Sequence, residues 1–326
     1  MTTPPGARTG RGPRVVAMGG GHGLFVALRA LRQITDDITA VVTVADDGGS
    51  SGRIRREFDI LPPGDLRMAL AALAADDDQS QTWSTLFQHR LEGSGTLAGH
   101  PVGNIVLTGL LETMADPVEA LDIVARFLRA RGRVLPMSRV PLDLIATVES
   151  LDRDDPIKVR RIRGQSAIAG RLGRVLEIDV IPSDAAACPA AVEAVEAADV
   201  VVLGPGSWFT SVIPHLLVRG LARALSETSA RIVVALNLVP QPGETAGFSS
   251  ADHVSVLREY CPGLSIAAVV ADDATSDLVG LGIATDEIGA RLVTSALRAS
   301  DSDDRHDATA LAAALQTAIS PPRGVS

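Results

Sequence analysis

The chain alternates between short unbroken apolar runs and longer stretches with apolar residues three and four apart. That is the pattern of buried parallel strands and the helices that cover them. Residues 14–18 predict a first strand, and residues 24–33 a helix with Leu24, Leu28 and Leu31 on one face. Residues 38–45 predict a second strand. Further helices are expected over 65–75, 79–90, 105–114, 117–131, 190–198, 212–225 and 307–319, and further strands over 199–203, 231–238, 267–271 and 291–294. Between 134 and 180 the pattern changes to short β-like runs, 144–148 and 174–178 among them, separated by charged turns. The expected fold is α/β: a Rossmann-like three-layer fold with a mostly parallel central sheet and a small peripheral β-rich insertion over 134–185. One domain is expected over 14–319, with disordered tails at 1–13 and 320–326, where periodicity is lacking.

The polar residues gather where strands end. The run 38–45 stops at Asp46-Asp47-Gly48-Gly49-Ser50-Ser51-Gly52-Arg53. Two adjacent acids repel unless something positive lies between them, and Gly and Ser let N–H groups and hydroxyls crowd around an anion. A phosphorylated ligand, with or without a magnesium ion on Asp46 and Asp47, explains both. Asp46 alone would suit a ribose hydroxyl, as in dinucleotide folds. The first strand ends in Gly19-Gly20-Gly21-His22-Gly23, a turn whose glycines permit close backbone approach and whose following helix offers free N–H groups. The strand 199–203 repeats this with Gly204-Pro205-Gly206-Ser207, so the two turns are expected to form opposite walls of one crevice at a switch point.

Other candidates are looser. Asp65 reads as the N-cap of its helix, with Arg67 either facing ligand or pairing with Asp65. His100 and Asn104 are candidate substrate contacts, or else a surface histidine and a helix cap. Asn237, Gln241, Glu244 and Thr245 sit at another carboxyl end. Gly48–Gly52 also fits G-x-S-x-G, but two carboxylates beside the supposed oxyanion hole oppose a nucleophilic Ser50.

Composition removes several classes. The net charge of −9 over 326 residues argues against nucleic-acid or anionic-membrane surfaces. Lys158, in the charged segment 153–158, is the only lysine, so neither a Walker A loop nor a Schiff base is available, and arginines must carry the cationic chemistry. Two unpaired cysteines, the lack of a secretory segment and the lack of a membrane-length apolar run predict a cytoplasmic protein. The histidines lack zinc-ligand spacing. A nicotinamide dehydrogenase would rest on the glycine turn alone, with no hydride-transfer acid–base pair.

Seven motifs in order, Met18–Leu24, Thr43–Arg53, Leu61–Arg67, Gly99–Asn104, Leu203–Ser207, Gln241–Thr245 and Arg305-His306-Asp307, resemble the gluconeogenesis factor family. These YvcK-like binders of UDP-N-acetylglucosamine are a branch of the CofD-like, 2-phospho-L-lactate transferase superfamily. His22 stands where the family usually has Thr, Met68 where Asn is usual, and Val239-Pro240 replaces a Met-Thr pair. The resemblance implies a cytoplasmic regulator that binds a UDP-sugar or related nucleotide diphosphate and links gluconeogenic carbon supply to peptidoglycan synthesis and cell shape. It requires no cofactor, admits Mg2+, implies a protein partner in cell-wall synthesis and leaves a homo-oligomer open. Gly20, Gly21, His22 and Gly23 would then cradle phosphate, and Asp46 and Asp47 a ribose or metal. Gly204, Gly206 and Ser207 would form the second wall, and Arg305 would meet the diphosphate. Gly49, Ser50, Ser51 and Arg53 complete the expected set. The competing expectation is a magnesium-dependent transferase of a phospholactyl-type group, disfavoured because aromatics are only 3% of residues and no deazaflavin platform is evident.

Overall fold

The computed structural model describes residues 12–151 and 157–320. In chain order the first half runs β1 (Val15–Gly19), α1 (Gly21–Leu31), β2 (Ile38–Val42), α2 (Gly49–Phe58), α3 (Pro63–Leu73), α4 (Asp78–Gln88), α5 (Val102–Thr113), α6 (Pro117–Phe127), β3 (Arg133–Pro136), β4 (Asp143–Ser150), β5 (Val159–Arg163), α7 (Gln165–Ala169) and β6 (Gly173–Ile181). The second half runs α8 (Pro189–Ala197), β7 (Val200–Leu203), a π-helical turn (Trp208–Val212), α9 (Pro214–Leu217), α10 (Arg219–Glu227), β8 (Arg231–Ala235), α11 (Ser250–Tyr260), β9 (Ile266–Asp272), α12 (Leu278–Glu287), β10 (Arg291–Ser295) and α13 (Ala308–Ile319).

Seven strands form one parallel sheet in the order β10-β9-β8-β7-β1-β2-β3. The central strands are apolar on both faces, as strands covered by helices must be: Val15–Met18 and Val200–Leu203 are at most 3% exposed. From β1 the chain first builds outward through β2 to β3, then returns to β7 on the other side of β1. Strand order therefore reverses between β1 and β7, where an open α/β sheet leaves a crevice at the carboxyl ends. Helix α1 packs against α3 and α13, and α10 against α8.

Strands β5-β4-β6 form a separate antiparallel sheet. The insertion begins later than the expected 134, because 133–136 is the edge strand β3 of the main sheet, paired with β2 from Thr39↔Arg133 to Val42↔Pro136. Val134 and Leu135 are buried there, which the short run between charged neighbours did not advertise.

Other boundaries differ for local reasons. The glycine runs open helices: α1 starts at Gly21 and α2 at Gly49. The expected helix 212–225 is broken, first by the π-turn and then between α9 and α10, with Pro214 at the start of the short α9. Helix α11 was not read from the sequence, although Ser249 and Asp252 form its capping box. Of the expected tails and the charged segment, residues 1–11, 152–156 and 321–326 lie outside the described residues. Pro13 is held on the fold, its carbonyl accepting from Thr35 Oγ1 at 2.7 Å, and Ser320 donates through Oγ to Gln316 O at 2.8 Å.

The turns after β1 and β7 touch. A Cβ placed on Gly23 would lie 2.2 Å from Pro205 O and 2.5 Å from Gly206 Cα. Gly23→Ala is expected to destabilise the fold by about 1–3 kcal/mol, because the obstacle is backbone. In contrast, Gly282→Ala in α12, where an added Cβ would meet nothing within 4 Å beyond its chain neighbours and its own helix backbone, is expected to stabilise by about 0.5–1 kcal/mol. Urea denaturation midpoints of the two variants, at unchanged slope, check both signs.

Candidate functional site

A cavity of about 770 Å³ opens at the β1–β7 switch point. Its walls are Gly20–Gly23 from the first turn, Gly206 and Ser207 from the second, Asp46 and Asp65, the segment Asn237–Pro242, and Asp304–His306 before α13. Helix α7 of the small sheet adds Gln165, Ser166 and Ala169.

The first turn is the beginning of α1. Gly20 is extended, with no side chain to cap the helix. The Gly21 N–H helps to hold down the Asp65 carboxyl pKa, and Leu24 N–H returns to Gly20 O at 3.2 Å. The N–H groups of His22 and Gly23 have no partner within the helix, and both residues line the cavity. They are the backbone donors that this end of the cleft could offer to an anion.

The second turn is different. Asn237 accepts from Gly206 N (2.9 Å) and donates to Gly206 O (2.8 Å). Gln241 Oε1 accepts from Trp208 N (3.1 Å), and its amide donates to Ser207 Oγ (3.0 Å). Glu244, 1% exposed, accepts from Phe209 N (2.9 Å), Thr210 N (3.2 Å) and Thr210 Oγ1 (2.6 Å). Burial pushes the Glu244 carboxyl up, while these donors oppose the shift. Thr245 Oγ1 in turn accepts from Gln241 N (2.8 Å). Most of this wall's N–H groups are thus taken by protein side chains, so it shapes the cleft rather than cradling an anion.

The acids also rearrange. Asp46 faces the cavity, but Asp47 turns away and accepts from Ser166 N at 2.8 Å, holding α7 at its N-terminus. Asp65 is not an N-cap. Pro63 takes the first helical position, Pro62 the cap, and Asp65 lies in the first turn, facing the cavity with Asp46. The acid pair of the cleft is therefore Asp46 and Asp65. Burial first, and the Asp46 charge second, push Asp65 up to about 7. Burial likewise raises Asp46. The buried Arg67 guanidinium is the compensating cation. Burial first and Arg90 second lower it to about 10, against Asp65 and Asp46, which raise it.

Among the described residues, no three His, Cys, Asp or Glu side chains gather to hold a metal. A magnesium ion would fit only as magnesium usually binds, on the Asp46 and Asp65 carboxylates with ligand phosphate and water completing its shell. It would supply charge neutralisation at the phosphates.

Behind the acids runs a buried polar chain. Arg67 Nε donates to Asn104 Oδ1 (2.9 Å), Asn104 Nδ2 to Ser50 Oγ (2.9 Å), and Ser50 Oγ lies 2.7 Å from His100 Nδ1. His100 is 6% exposed, not a surface residue, and burial lowers its pKa. Asn104 lies inside α5, whose N-cap is Pro101. Ser51 Oγ accepts from Gly64 N (3.0 Å), and Arg53 reaches Ala98 O (2.9 Å). None of Asp47, Gly49, Ser50, Ser51, Arg53, Arg67, His100, Asn104, Gly204, Glu244 or Thr245 lines the cavity. They support it or lie outside it. Arg305, at the rim, is paired with Asp301 (2.6 Å) and remains 63% exposed.

Sequence reasoning missed Gln165, Ser166 and His306. Gln165 Oε1 and His306 Nε2 are buried without a protein partner. Burial lowers the pKa of His306.

The fold and cleft define a doubly wound α/β protein with a ligand crevice at its switch point. The profile of the family described as 2-phospho-L-lactate transferase CofD matches residues 15–312, and the chain belongs to that family. It is 57% identical over 258 residues to a Mycobacterium tuberculosis protein that carries the name gluconeogenesis factor in provisional form, covering 79% of this chain and 75% of that one. A Listeria monocytogenes protein named gluconeogenesis factor is 42% identical over 248 residues, covering 76% and 74%. The crystal structure of a UPF0052 family member from Bacillus halodurans superposes with a TM-score of 0.82 at 33% identity, covering 94% of this chain and 99% of that one. No helix among the described residues is long and apolar enough to cross a membrane.

Two outcomes follow from the site's electrostatics. Glu244→Ala strands the Phe209 and Thr210 donors and is expected to cost about 1–3 kcal/mol in denaturant unfolding. Asp65 binds its proton more tightly folded, near 7, than at its ordinary 3.8. Its contribution to stability is therefore present at low pH and lost as pH rises through that window. In metal-free buffer, Asp65→Asn is expected to flatten the decline in unfolding free energy between those two pH values.

Proposed function

We propose that the cleft binds UDP-N-acetylglucosamine or a closely related nucleoside diphosphate sugar, and that the protein acts as a binding regulator. In this reading it couples gluconeogenic carbon supply to cell-wall synthesis and cell shape, through a protein partner, in the cytoplasm. The observation that carries the proposal is the polarity of the cleft. Free N–H groups of His22 and Gly23 lie on one wall, a hydroxyl-binding acid pair Asp46–Asp65 beside them, and the Arg305 guanidinium at the rim. An anion, a hydroxyl and a diphosphate charge would each find a partner within one space of about 770 Å³, within the range of small-molecule and cofactor sites. The relatives' name, gluconeogenesis factor, supports the metabolic half of the reading.

A second reading, magnesium-dependent transfer of a phospholactyl-type group from a nucleotide diphosphate, draws on the family description and on the same acid pair. Here the ion would sit on Asp46 and Asp65, not Asp46 and Asp47.

Calorimetric titration separates them. Selective binding of UDP-N-acetylglucosamine over UDP, GDP and NAD is expected, weakened about tenfold or more by Arg305→Ala through loss of a charge-assisted contact, with the ligand recovered unchanged by chromatography. Preference for a guanosine diphosphate ligand with strict magnesium dependence would transfer the assignment to the enzyme.

A further inference from the structure

The cleft is not polar throughout. Beside its acids and N–H groups, Phe25, Val26, Val239 and Pro240 line the same space. Of the chain's six Phe, two Trp and one Tyr, Phe25 alone does so. Its placement follows from the helix. Leu24, Ala27, Leu28 and Leu31 turn to the core, while His22, Phe25 and Val26, three and four residues apart, share the face of α1 that borders the cavity. Phe25 packs against the core yet is only partly buried. The ring is thus held on one side and open on the other, and a flat surface held in advance loses little freedom when a ligand meets it. Aromatic faces favour a second flat π-system, in offset or edge geometry, and the base is the one such ring in a nucleotide sugar. Along the axis, Phe25 stands three residues, about 4.5 Å of rise, from His22, whose N–H this end of the cleft could offer to an anion. A nucleotide carries its base one ribose away from its first phosphate, and α1 presents the two partners in that order.

We infer that Phe25 is a specificity-determining residue of the cleft, its ring stacking on the planar base of the bound nucleotide sugar. This rests on the nucleotide-sugar reading above. Stacking is blind to the hydrogen-bonding edge of a base, because every base has a π-face. Phe25 therefore selects a nucleotide over a sugar phosphate that lacks a base, and leaves the choice among bases to polar groups elsewhere.

The test is calorimetry of wild type, Phe25→Leu and Phe25→Tyr with UDP-N-acetylglucosamine, UDP and 5,6-dihydro-UDP, whose base keeps its hydrogen-bonding edge but is no longer flat or aromatic. Thermal melting serves as the folding control. Phe25→Leu, which keeps an apolar side chain without the ring, is expected to weaken UDP and the UDP-sugar alike, by about fivefold or more. Phe25→Tyr, which keeps the face, is expected to stay within about twofold of wild type. The dihydro ligand is expected to bind wild type more weakly than UDP does and to lose little more in Phe25→Leu, the coupling that a direct contact requires. In deuterated wild-type protein carrying protonated phenylalanine, nuclear Overhauser contacts from a ring to the two ring C–H protons of uracil read the same stack without mutation. Four results overturn the inference and leave the nucleotide-sugar reading standing: no such contact in protein that binds UDP, a Phe25→Leu penalty under twofold for UDP, an equal penalty for all three ligands, or a penalty confined to the UDP-sugar. Failure of wild type to bind any of the three overturns both.

Discussion

The close approach of two backbone turns, Gly23 against Pro205 and Gly206, sets the dimensions of everything around it. Strands β1 and β7 are hydrogen-bonded neighbours, so their turns must either collide or interlock. They interlock because position 23 has no side chain and Gly206 adopts a φ of +140° that side chains resist. Widening that contact by one methyl group would move α1, whose first turn lines the cleft, relative to the wall that faces it. The apolar core beneath, continuous from Val15 through Leu203 and Val234, holds both strands still.

Much of this was legible. Unbroken apolar strands, glycine turns at their carboxyl ends and the repetition of strand, glycine and hydroxyl at 199–207 depend on local backbone chemistry, and they specify the α/β sheet and its crevice. What was not legible depends on direction and distance. Adjacent acids invite pairing on paper, yet neighbouring residues of extended chain point to opposite sides. Asp46 therefore turns into the cleft and Asp47 toward α7. Asp65 looked like a cap because a carboxylate precedes an apolar helix, but Pro63 is better suited to the first helical position and moves the helix start back. Gln165 and Ser166 reach the cleft only because the inserted sheet folds over it, and no periodicity encodes that.

The polar interior is arranged in depth. Asp46 and Asp65 face the cavity, Arg67 balances them from behind, and Asn104, Ser50 and His100 carry the hydrogen bonding onward into α5 and α2. Buried acids near one another are expensive; Arg67 opposes the rise at Asp65, and Ser51, the Gly48 N–H and Arg55 oppose it at Asp46. Asp47 gives the inserted sheet a second reason to stay put, since its carboxylate occupies the N-terminus of α7.

The side-chain clamp from Asn237 to Glu244 has a consequence for how a ligand arrives. Because that wall already has its hydrogen bonds made, no loop has to be ordered when the cleft fills, and little entropy is lost there. Encounter, rather than assembly of the wall, would then govern the association rate. The occupied protein would differ from the empty one less in backbone than in charge and in the motion of side chains at the rim.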